Sequence, residues 1–447
     1  MKKNATEVLK KLNDAGFEAY FVGGAVRDFC LGKSGLSDYD ICTNALPEQT
    51  KQVFHKTFDT GIKHGTITVR HNSESFEITT YRIDGEYSDS RRPDEVTFTT
   101  DLKEDLVRRD FTINSMAMDA NGGITDPHQG REDLKNGIIR AVGEPNKRFR
   151  EDPLRILRGI RFLSQLGHNF RIEEKTLEAM GRNSYLLQNT SPERIRTELV
   201  KTITGSNLDA LKIAYQAGIT KHFLPEFDIM MQCQQETPHH CYDVGNHTIV
   251  AMKNISNDET LRLTMLLHDV AKPVMKTFDE TGAHFRGHQE KGAQMSQEIL
   301  RRLRFDNDTI KRVAHLIRYH DYELPTTSKA CRKALRKIGK DFFEDYLQIR
   351  TADISAQSDF KKGEKLNKLK TARLLYAEII ESNEPTSLKD LKINGNDLVK
   401  LGHRPGRGIG IILDDILTAV IEDPGLNEKC KLIELIKKYP LGSDFND

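Results

Sequence analysis

The stretch AYFVGGAVRD at residues 19–28 joins an apolar run to a pair of glycines and then to a helix-forming segment. Residues 19–22 predict a buried strand, and residues from 25 to about 31 predict a helix. An amphipathic helix is predicted at 6–15, before this stretch. Segments with strand-like patterns follow at 38–42, 65–70 and 75–81. Residues 1–140 therefore predict a mixed α/β domain.

The glycine pair and nearby carboxylates form a first candidate site. Gly24 lets the backbone approach a phosphate at the start of a helix, and Arg27 adds a positive charge one turn later. Asp38 and Asp40 are two residues apart, so in a strand both side chains point to the same face. Such carboxylates hold Mg²⁺ with substrate phosphates, and two ions can flank an in-line displacement at phosphorus. Glu77, in a later strand, is a candidate third carboxylate.

A polar segment at 83–96 contains glycine and proline and predicts a mobile loop. The stretch RRDFTIN at 108–114 follows it. Beside a triphosphate, Arg109 would be a ligand of phosphate or ribose.

Charged residues at three-residue spacing predict a base-reading surface on one helix, because neighbours at this spacing touch. They are Asp152, Arg155, Arg158 and Arg161. Cytosine and adenine each present an amino donor beside a ring-nitrogen acceptor, which a carboxylate and a guanidinium can bind. Uracil and guanine present the reverse order and would leave both protein groups unpaired. Asp152 with Arg155 is therefore predicted to select C and A without a nucleic-acid template, while Arg158 and Arg161 hold phosphates.

Together these motifs resemble those of the class II tRNA nucleotidyltransferases, the CCA-adding enzymes of bacteria. GGAVRD at 23–28, DYD at 38–40, RRDFTIN at 108–114, EDPLR at 151–155 and ERIRTE at 193–198 occur in the family's order. The resemblance covers about residues 19–202. It implies a polymerase-β-like head, a helical neck carrying the Asp–Arg pair, and a body and tail that clamp tRNA. It also implies that C, C and A are added to the tRNA 3′ end from CTP and ATP, with release of pyrophosphate.

The resemblance assigns roles position by position. Asp38 and Asp40 match the Mg²⁺ ligands and, with Glu77, form the predicted catalytic set. The matching nucleotide-binding positions are Gly24, Arg27, Arg109, Asp152, Arg155, Arg158 and Arg161.

A second candidate site lies in the later part of the chain, where an apolar run at 261–267 ends in an adjacent His–Asp pair. The order of histidines and aspartates here resembles the HD phosphohydrolase superfamily. The resemblance implies a divalent transition metal such as Mn²⁺ or Ni²⁺ and a phosphodiesterase or phosphatase activity. The implied ligands are His247, His268, Asp269 and Asp353, with His288 and His320 as candidates for a second metal or a phosphate.

Strand patterns stop near residue 147, and most of the later chain predicts helix. The expected fold is α+β: a polymerase-β-like head of mixed sheet and helices, followed by an all-helical neck, body and tail. The predicted divisions are a nucleotidyltransferase head at 1–140, a neck with the base-reading helix at 141–230, an HD metal-binding domain at 236–358 and a helical tail at 359–447. Ser191 and Pro192 predict the N-cap and first residue of one helix.

In the tail, a basic run at 361–370 and a glycine-rich turn at 404–410 are candidate contacts to the tRNA backbone. The whole chain has 67 Lys and Arg against 66 Asp and Glu, so any nucleic-acid surface must be local. Its six cysteines include no CxxC pair, which excludes a zinc ribbon or thioredoxin motif. No apolar run approaches the ~18 residues of a membrane helix, and the start lacks a signal-peptide core. We therefore expect a cytoplasmic enzyme with no membrane segment; no obligate protein partner is evident.

Several alternatives remain open from sequence. Bacterial poly(A) polymerases share the head but carry a basic stretch after the Asp-x-Asp strand, whereas residues 54–66 here resemble the CCA-adding form. The chain keeps a full loop that includes RRPDE at 91–95, which disfavours an enzyme that stops after CC. The sequence is equally compatible with an enzyme that adds only A. From another class, an HD-type phosphohydrolase could use the head only to bind substrate. A non-catalytic tRNA-binding protein would leave both acidic clusters unexplained.

Overall fold

A computed structural model of the protein describes residues 3–33, 39–85, 96–280 and 282–440. The chain divides into two compact units. The first comprises Met1–Ile229 with Ile299–Asp306, and the second comprises Met230–Glu298 with Asn307–Asp447. The division at 1–140, 141–230, 236–358 and 359–447 stays a prediction.

The strands of the described residues are β1 (Ala19–Val22), β2 (Asp40–Thr43), β3 (Thr57–Gly61), β4 (Thr66–His71), β5 (Glu74–Thr80), β6 (Arg82–Asp84), β7 (Val96–Phe98), β8 (Ala117–Met118), β9 (Ile124–Thr125), β10 (Ile138–Ile139), β11 (Arg171–Ile172), β12 (Thr277–Asp279) and β13 (Gly282–His284).

The helices up to residue 232 are α1 (Lys3–Asp14), α2 (Gly24–Cys30), α3 (Pro47–Val53), α4 (Leu102–Val107), α5 (Gly130–Lys135), α6 (Pro145–Glu151), α7 (Leu154–Leu166), α8 (Glu174–Asn183), α9 (Pro192–Ile203), α10 (Asp209–Gln216) and α11 (Pro225–Gln232). The later helices are α12 (Val244–Lys253), α13 (Glu259–Leu267), α14 (Lys272–Met275), α15 (His288–Arg302), α16 (Asn307–Tyr319), α17 (Ser328–Ile338), α18 (Lys340–Ser355), α19 (Lys362–Glu381), α20 (Gly395–Lys400), α21 (Arg407–Glu422) and α22 (Lys429–Ile436).

A seven-stranded mixed sheet organises the start of the first unit, in the order β3-β4-β5-β2-β1-β8-β9. Strand β2 runs antiparallel to β1 and parallel to β5. Because Phe21 and Val22 of β1 are buried, the strand is fixed at the centre of the sheet. Gly23 then has φ +67°, a conformation that glycine adopts readily, and α2 begins at once.

The expected α+β class is confirmed, and β1 has the predicted bounds. The predicted strand at 38–42 is observed as β2, which begins at Asp40, while Asp38 lies outside the described residues. The predicted loop at 83–96 is too long at both ends, because residues 83 and 84 belong to β6 and residue 96 belongs to β7, and these two strands pair with each other. Its RRPDE stretch also lies outside the described residues.

The expectation that the chain after residue 147 is all-helical is wrong in detail. Strand β11 pairs in parallel with β10, and β12 forms a short hairpin with β13. These strands have two or three residues, too few to show a two-residue periodicity. The predicted glycine-rich turn at 404–410 is only partly correct, because residues 407–410 form the first turn of α21.

The helices of the neck lie side by side through buried polar and apolar contacts. Ser164 on α7 donates a hydrogen bond to the Thr202 carbonyl of α9, with Oγ and O separated by 2.6 Å. Helix α9 begins with Ser191 at the N-cap and Pro192 in its first turn, as predicted. Within the described part of the chain, every helix is too short or too polar to traverse a lipid bilayer.

Candidate functional site

A cavity of about 820 Å³ in the first unit is lined by the central strands, α2, α7 and α9, and it carries more basic than acidic side chains. It gathers every predicted head and neck residue that the structure describes. These are Gly24, Arg27, Asp40, Glu77, Arg109, Asp152, Arg155, Arg158 and Arg161.

Two carboxylates on neighbouring strands line the cavity. Asp40 and Glu77 are register partners on the parallel strands β2 and β5, and both are exposed. Neighbouring strands are about 4.8 Å apart and partners share a face, so the like charges lie close together. Oxygen donors in this arrangement fit Mg²⁺, which would relieve their repulsion.

The backbone of the glycine pair passes close to these groups. A Cβ at Gly23 would stand 3.5 Å from Asp40 Oδ2 and 3.6 Å from Arg109 Nη1. Gly24 follows as the first residue of α2. Without a side chain at Gly23, the space next to the carboxylate and the arginine stays open.

Three arginines surround one aromatic ring. The Cζ atoms of Arg27, Arg158 and Arg161 lie 5.3, 5.5 and 4.4 Å from the centroid of Phe162. Arg27 also donates to Asn114 Oδ1 at 3.0 Å. Cation–π contacts hold the guanidinium groups near one another despite their repulsion, which concentrates positive charge at the cavity wall.

Buried carboxylates form ion pairs with Arg108, Arg109 and Arg158. Asp105 is fully buried and accepts from Arg108 Nη2 at 2.7 Å and Arg109 Nη2 at 3.2 Å. Asp110 accepts from Arg158 Nε at 2.7 Å. Burial alone would raise the pKa of each carboxyl, but the guanidinium groups lower both, and that of Asp110 falls to about 2.

A third pair joins the two neck helices. Arg161 Nη1 donates to Glu198 Oε1 at 3.2 Å, and both side chains are buried. Burial raises the pKa of the Glu198 carboxyl, partly offset by the charge of Arg161. Sequence reasoning noticed Glu198 only as a motif residue and missed Asp105. The available signal was its position three and four residues before Arg108 and Arg109, which directly follow α4.

The predicted helical series from 152 to 161 is only partly correct. Asp152 follows α6 with extended backbone angles, φ −139° and ψ 100°, and α7 begins at Leu154. The reason is Pro153, because proline disfavours helical geometry in the preceding residue. Only the three arginines therefore share a helix.

Asp152 and Arg155 both line the cavity, but each is bonded to a different partner. Asp152 Oδ2 accepts from Arg194 Nη2 at 2.7 Å. Arg155 donates to Glu151 Oε2 at 2.8 Å and to the Arg108 carbonyl at 2.9 Å. Sequence reasoning did not single out Arg194 as a site residue, although it lies in the ERIRTE motif.

The second unit holds a buried cluster of histidines and aspartates. Its ligand-type atoms form two sets, and within each set they lie within 4.8 Å of one another. The sets are His247, His268 and Asp353, and Asp269, His288 and His320. The cluster thus unites the predicted HD residues with both candidates for a second metal.

Three histidines of this cluster form hydrogen bonds to backbone carbonyls through Nδ1. Nδ1 lies 2.7 Å from the Met265 carbonyl in His268, 2.8 Å from the Phe285 carbonyl in His288 and 2.7 Å from the Ile317 carbonyl in His320. A carbonyl only accepts, so each Nδ1 carries the proton and each Nε2 lone pair stays available.

These Nε2 atoms converge on one carboxylate. His268 Nε2 lies 3.1 Å from Asp269 Oδ2, and the Nε2 atoms of His288 and His320 each lie 3.6 Å from Asp269 Oδ1. Among the described residues, Asp269 Oδ1 and His268 Nε2 are buried without a hydrogen bond. A set of nitrogen and oxygen ligand atoms that lack hydrogen bonds in this way suits a divalent transition metal.

Lys272 is a member of the cluster that sequence reasoning missed. Its ammonium group is buried, 2.7 Å from Asp269 Oδ2 and 2.9 Å from Gln235 Oε1. Burial would raise the pKa of Asp269, but His268 and Lys272 hold it well below its usual range. A basic residue three positions after the His–Asp pair was the available signal.

Comparison with known proteins identifies the class first. A profile described as Poly A polymerase head domain matches residues 19–140. Profiles described as probable RNA and SrmB-binding site of polymerase A and as tRNA nucleotidyltransferase domain 2 match 169–231 and 288–436. With the carboxylates and basic cavity, these matches define a nucleotidyltransferase.

Two relatives that align with nearly the whole chain identify the family within this class. The CCA-adding enzyme of Lactobacillus johnsonii is 35% identical over 436 residues, which cover 97% of this chain and 96% of that protein. The crystal structure of the Bacillus stearothermophilus CCA-adding enzyme in complex with CTP superposes with a TM-score of 0.73 at 29% identity, covering 98% of both chains. The chain belongs to the CCA-adding enzyme family.

Other relatives match over a shorter stretch. The CCA-adding enzyme of Lactobacillus helveticus is 58% identical over 197 residues, or 44% of this chain. In that alignment the chain spans about half of the relative, 49% of its length. The predicted family resemblance is confirmed.

Proposed function

We propose that the protein adds C, C and A to the 3′ end of tRNA, using CTP and ATP and no nucleic-acid template. The observation that carries this proposal is the cavity of about 820 Å³ in the first unit, because one cavity gathers the side chains that this reaction would use. It joins the paired carboxylates Asp40 and Glu77 to a ring of arginines and, at its neck side, to Asp152.

The reaction is an in-line displacement at the α-phosphate. The tRNA 3′ oxygen forms a bond to phosphorus, the bond to the β-phosphate oxygen breaks, and pyrophosphate leaves. Asp40, with Glu77 beside it, and Asp38, which lies outside the described residues, would hold Mg²⁺. The ion would lower the pKa of the attacking hydroxyl and neutralise triphosphate charge. Gly23 and Gly24 would let the triphosphate approach the backbone, and Arg109, which lies next to Gly23, would bind it.

The arginines bind and orient the triphosphate. Arg27, Arg158 and Arg161 are fixed around Phe162, so their charge is in place before the nucleotide arrives. In the described part of the chain, the buried Nε atoms of Arg109 and Arg161 have no hydrogen-bond partner. An anion that satisfies these donors gains charge-assisted bonds without a large cost in side-chain ordering.

Asp152 and Arg155 are the proposed base-reading groups. The Asp152 carboxylate accepts from the exocyclic amino group of cytosine or adenine, and Arg155 donates to the adjacent ring nitrogen. Glu151 and two backbone carbonyls anchor Arg155 through Nη1 and Nη2. N–H groups of the guanidinium remain for the base, since arginine has five.

The experiment is to incubate purified protein with tRNA that lacks its CCA end and with CTP, ATP or both, and to sequence the 3′ ends. We expect CC from CTP alone and CCA from both nucleotides. A poly(A) polymerase would add A directly, and an A-adding specialist would extend only tRNA that already ends in CC. Absence of C incorporation would overturn the proposal.

The tail offers a surface for the tRNA backbone. Of the basic run at 361–370, Lys362 donates to the Ser355 carbonyl at 2.9 Å, and Lys365 lies 3.1 Å from His239 Nδ1. Lys368 and Lys370 are exposed on α19 and can contact phosphates. Such contacts would give salt-dependent affinity without sequence preference, as recognition of an A-form acceptor arm requires. A cytoplasmic location, where tRNA is processed, is part of this proposal.

A second function is favoured by the buried cluster of the second unit: metal-dependent hydrolysis of a phosphoester. His247, His268, Asp269 and Asp353 would hold one ion, Mn²⁺ or Ni²⁺, and His288 with His320 would help to hold another. Such an ion supplies Lewis acidity and a water of lowered pKa. Hydrolysis of a generic phosphodiester with Mn²⁺ or Ni²⁺ tests this proposal, and its absence in the wild type would favour a structural role for the cluster.

A further inference from the structure

The base-reading carboxylate is bonded to donors from two different elements. Asp152 Oδ1 accepts the Leu154 N–H at 3.1 Å, which comes from the first turn of α7. Asp152 Oδ2 accepts from Arg194 Nη2 at 2.7 Å, and Arg194 belongs to α9. Two donors at opposite oxygens fix the plane of a carboxylate whose terminal torsion is otherwise broadly distributed.

Helix α9 is a rigid support for Arg194. It is bound to α7 by the buried Arg161–Glu198 pair and by the Ser164 hydroxyl on the Thr202 carbonyl. Arg194 is therefore carried to Asp152 by a packed helix. Its side chain and that of Asp152 are 23% and 16% exposed, so the pair is shielded from solvent yet reachable from the cavity.

Arg155 does not hold the Asp152 carboxylate in place. Its guanidinium is bonded to Glu151 and to the carbonyls of Arg148 and Arg108. Within the described part of the chain, Asp152 forms its ion pair with Arg194. The two base-reading groups thus have separate ionic partners, Glu151 for the guanidinium and Arg194 for the carboxylate.

We propose that Arg194 is a positioning residue for base selection, which holds the Asp152 carboxylate ready to accept an exocyclic amino group. This role rests on the proposed nucleotide addition. An ionised carboxylate has about four lone-pair sites, so accepting from Arg194 and Leu154 leaves capacity for the base. A fixed carboxylate also repels the carbonyl oxygen that uracil or guanine presents in place of the amino group, because it cannot rotate away.

The test compares CTP with UTP as substrates for addition to tRNA lacking CCA. In Arg194→Ala we expect the CTP-over-UTP ratio of kcat/KM to fall about tenfold or more, which is the scale of losing one specificity contact. Arg194→Gln keeps a single neutral donor, so its ratio should lie between those of Ala and wild type. Arg196→Ala is the matched control, because Arg196 lies on the same helix but contacts the Arg304 carbonyl and the Phe305 ring. Its ratio should equal that of wild type.

A double variant separates positioning from general damage. If Arg194 acts through Asp152, then Arg194→Ala adds no further loss of selectivity to Asp152→Ala. A merely structural role would lower kcat/KM for CTP and UTP alike and leave their ratio unchanged. Circular dichroism checks folding, and Arg194→Gln carries the test if the alanine variant unfolds.

The outcomes for the two proposals differ. An unchanged ratio in Arg194→Ala, or additive losses in the double variant, would overturn the positioning role while wild-type C addition stands. If the wild-type protein adds no C, nucleotide addition itself is wrong.

Discussion

The ion pair between Asp110 and Arg158 supports the arginine-rich wall of the cavity, and Asp110→Asn should measurably lower the stability of the first unit. Asp110 is buried and accepts from Arg158 Nε at 2.7 Å and from the Phe111 N–H at 2.8 Å. Its pKa is lowered from an ordinary 3.8 to about 2. At about 1.4 kcal/mol per pKa unit, this is worth about 2 kcal/mol at pH 7. We expect the free energy of unfolding of the first unit to fall by about that amount.

The same pair predicts a pH dependence. Because the folded-state pKa is lowered, the stabilisation is fully present above about pH 4, where the unfolded carboxyl is also ionised. It is lost as the pH falls through the folded-state value of about 2. Urea unfolding followed by circular dichroism at pH 7, 5 and 3 should show equal differences between wild type and Asp110→Asn at the first two values and a smaller difference at pH 3.

An exposed ion pair of the same unit is the matched control for Asp110→Asn. Glu178 accepts from Arg182 at 2.8 Å, with side chains 55% and 65% exposed. Solvent screens such pairs, so Glu178→Gln should change stability by less than about 0.5 kcal/mol. If Asp110→Asn cost no more than this control, or if its effect were the same at pH 3 as at pH 7, the buried pair would not be the source of the stabilisation.

Three further predictions test the two sites. Asp40→Ala should abolish addition of both C and A while a binding assay still detects tRNA, because the lost carboxylate removes a metal ligand; near-normal incorporation would refute the assignment. Asp152→Ala should reduce selectivity more than turnover with saturating CTP, so competition by UTP should increase about tenfold or more; an unchanged preference would exclude Asp152 from base reading. His268→Ala combined with Asp269→Ala should remove Mn²⁺- or Ni²⁺-dependent hydrolysis of a phosphodiester yet spare nucleotide addition. Loss of addition in a folded double variant would contradict the independence of the two centres.

The sequence correctly predicted those strands and helices whose ends are marked by neighbouring residues. Strand β1 was predicted with its observed bounds because an apolar run there ends at two glycines. The short hairpin β12–β13 was missed, since pairing across one turn leaves no periodic signal. The shared face of Asp40 and Glu77 depends on the parallel pairing of β2 with β5, which a single sequence does not reveal.

The partners of the site residues were harder to predict than the residues themselves. Asp105 and Lys272 lie near the predicted residues along the chain, but their roles follow from burial. A buried charge needs an opposite charge or a metal, so each becomes informative only when the fold shows that it is shielded from water. Motif residues can be recognised by type and spacing, whereas the groups that orient them are chosen by packing.

Asp152 lines the predicted cavity although its predicted local geometry was wrong. Three-residue spacing suggested that its carboxylate and Arg155 touch along one helix, but Pro153 keeps residue 152 extended and α7 begins only afterwards. The carboxylate consequently bonds to Arg194 of α9, while Arg155 bonds to Glu151 at the end of α6. A carboxylate and a guanidinium in direct contact would satisfy each other and offer less to a base. Separate partners orient the two groups independently of each other, and the proposed selection of C and A without a template would use both of them.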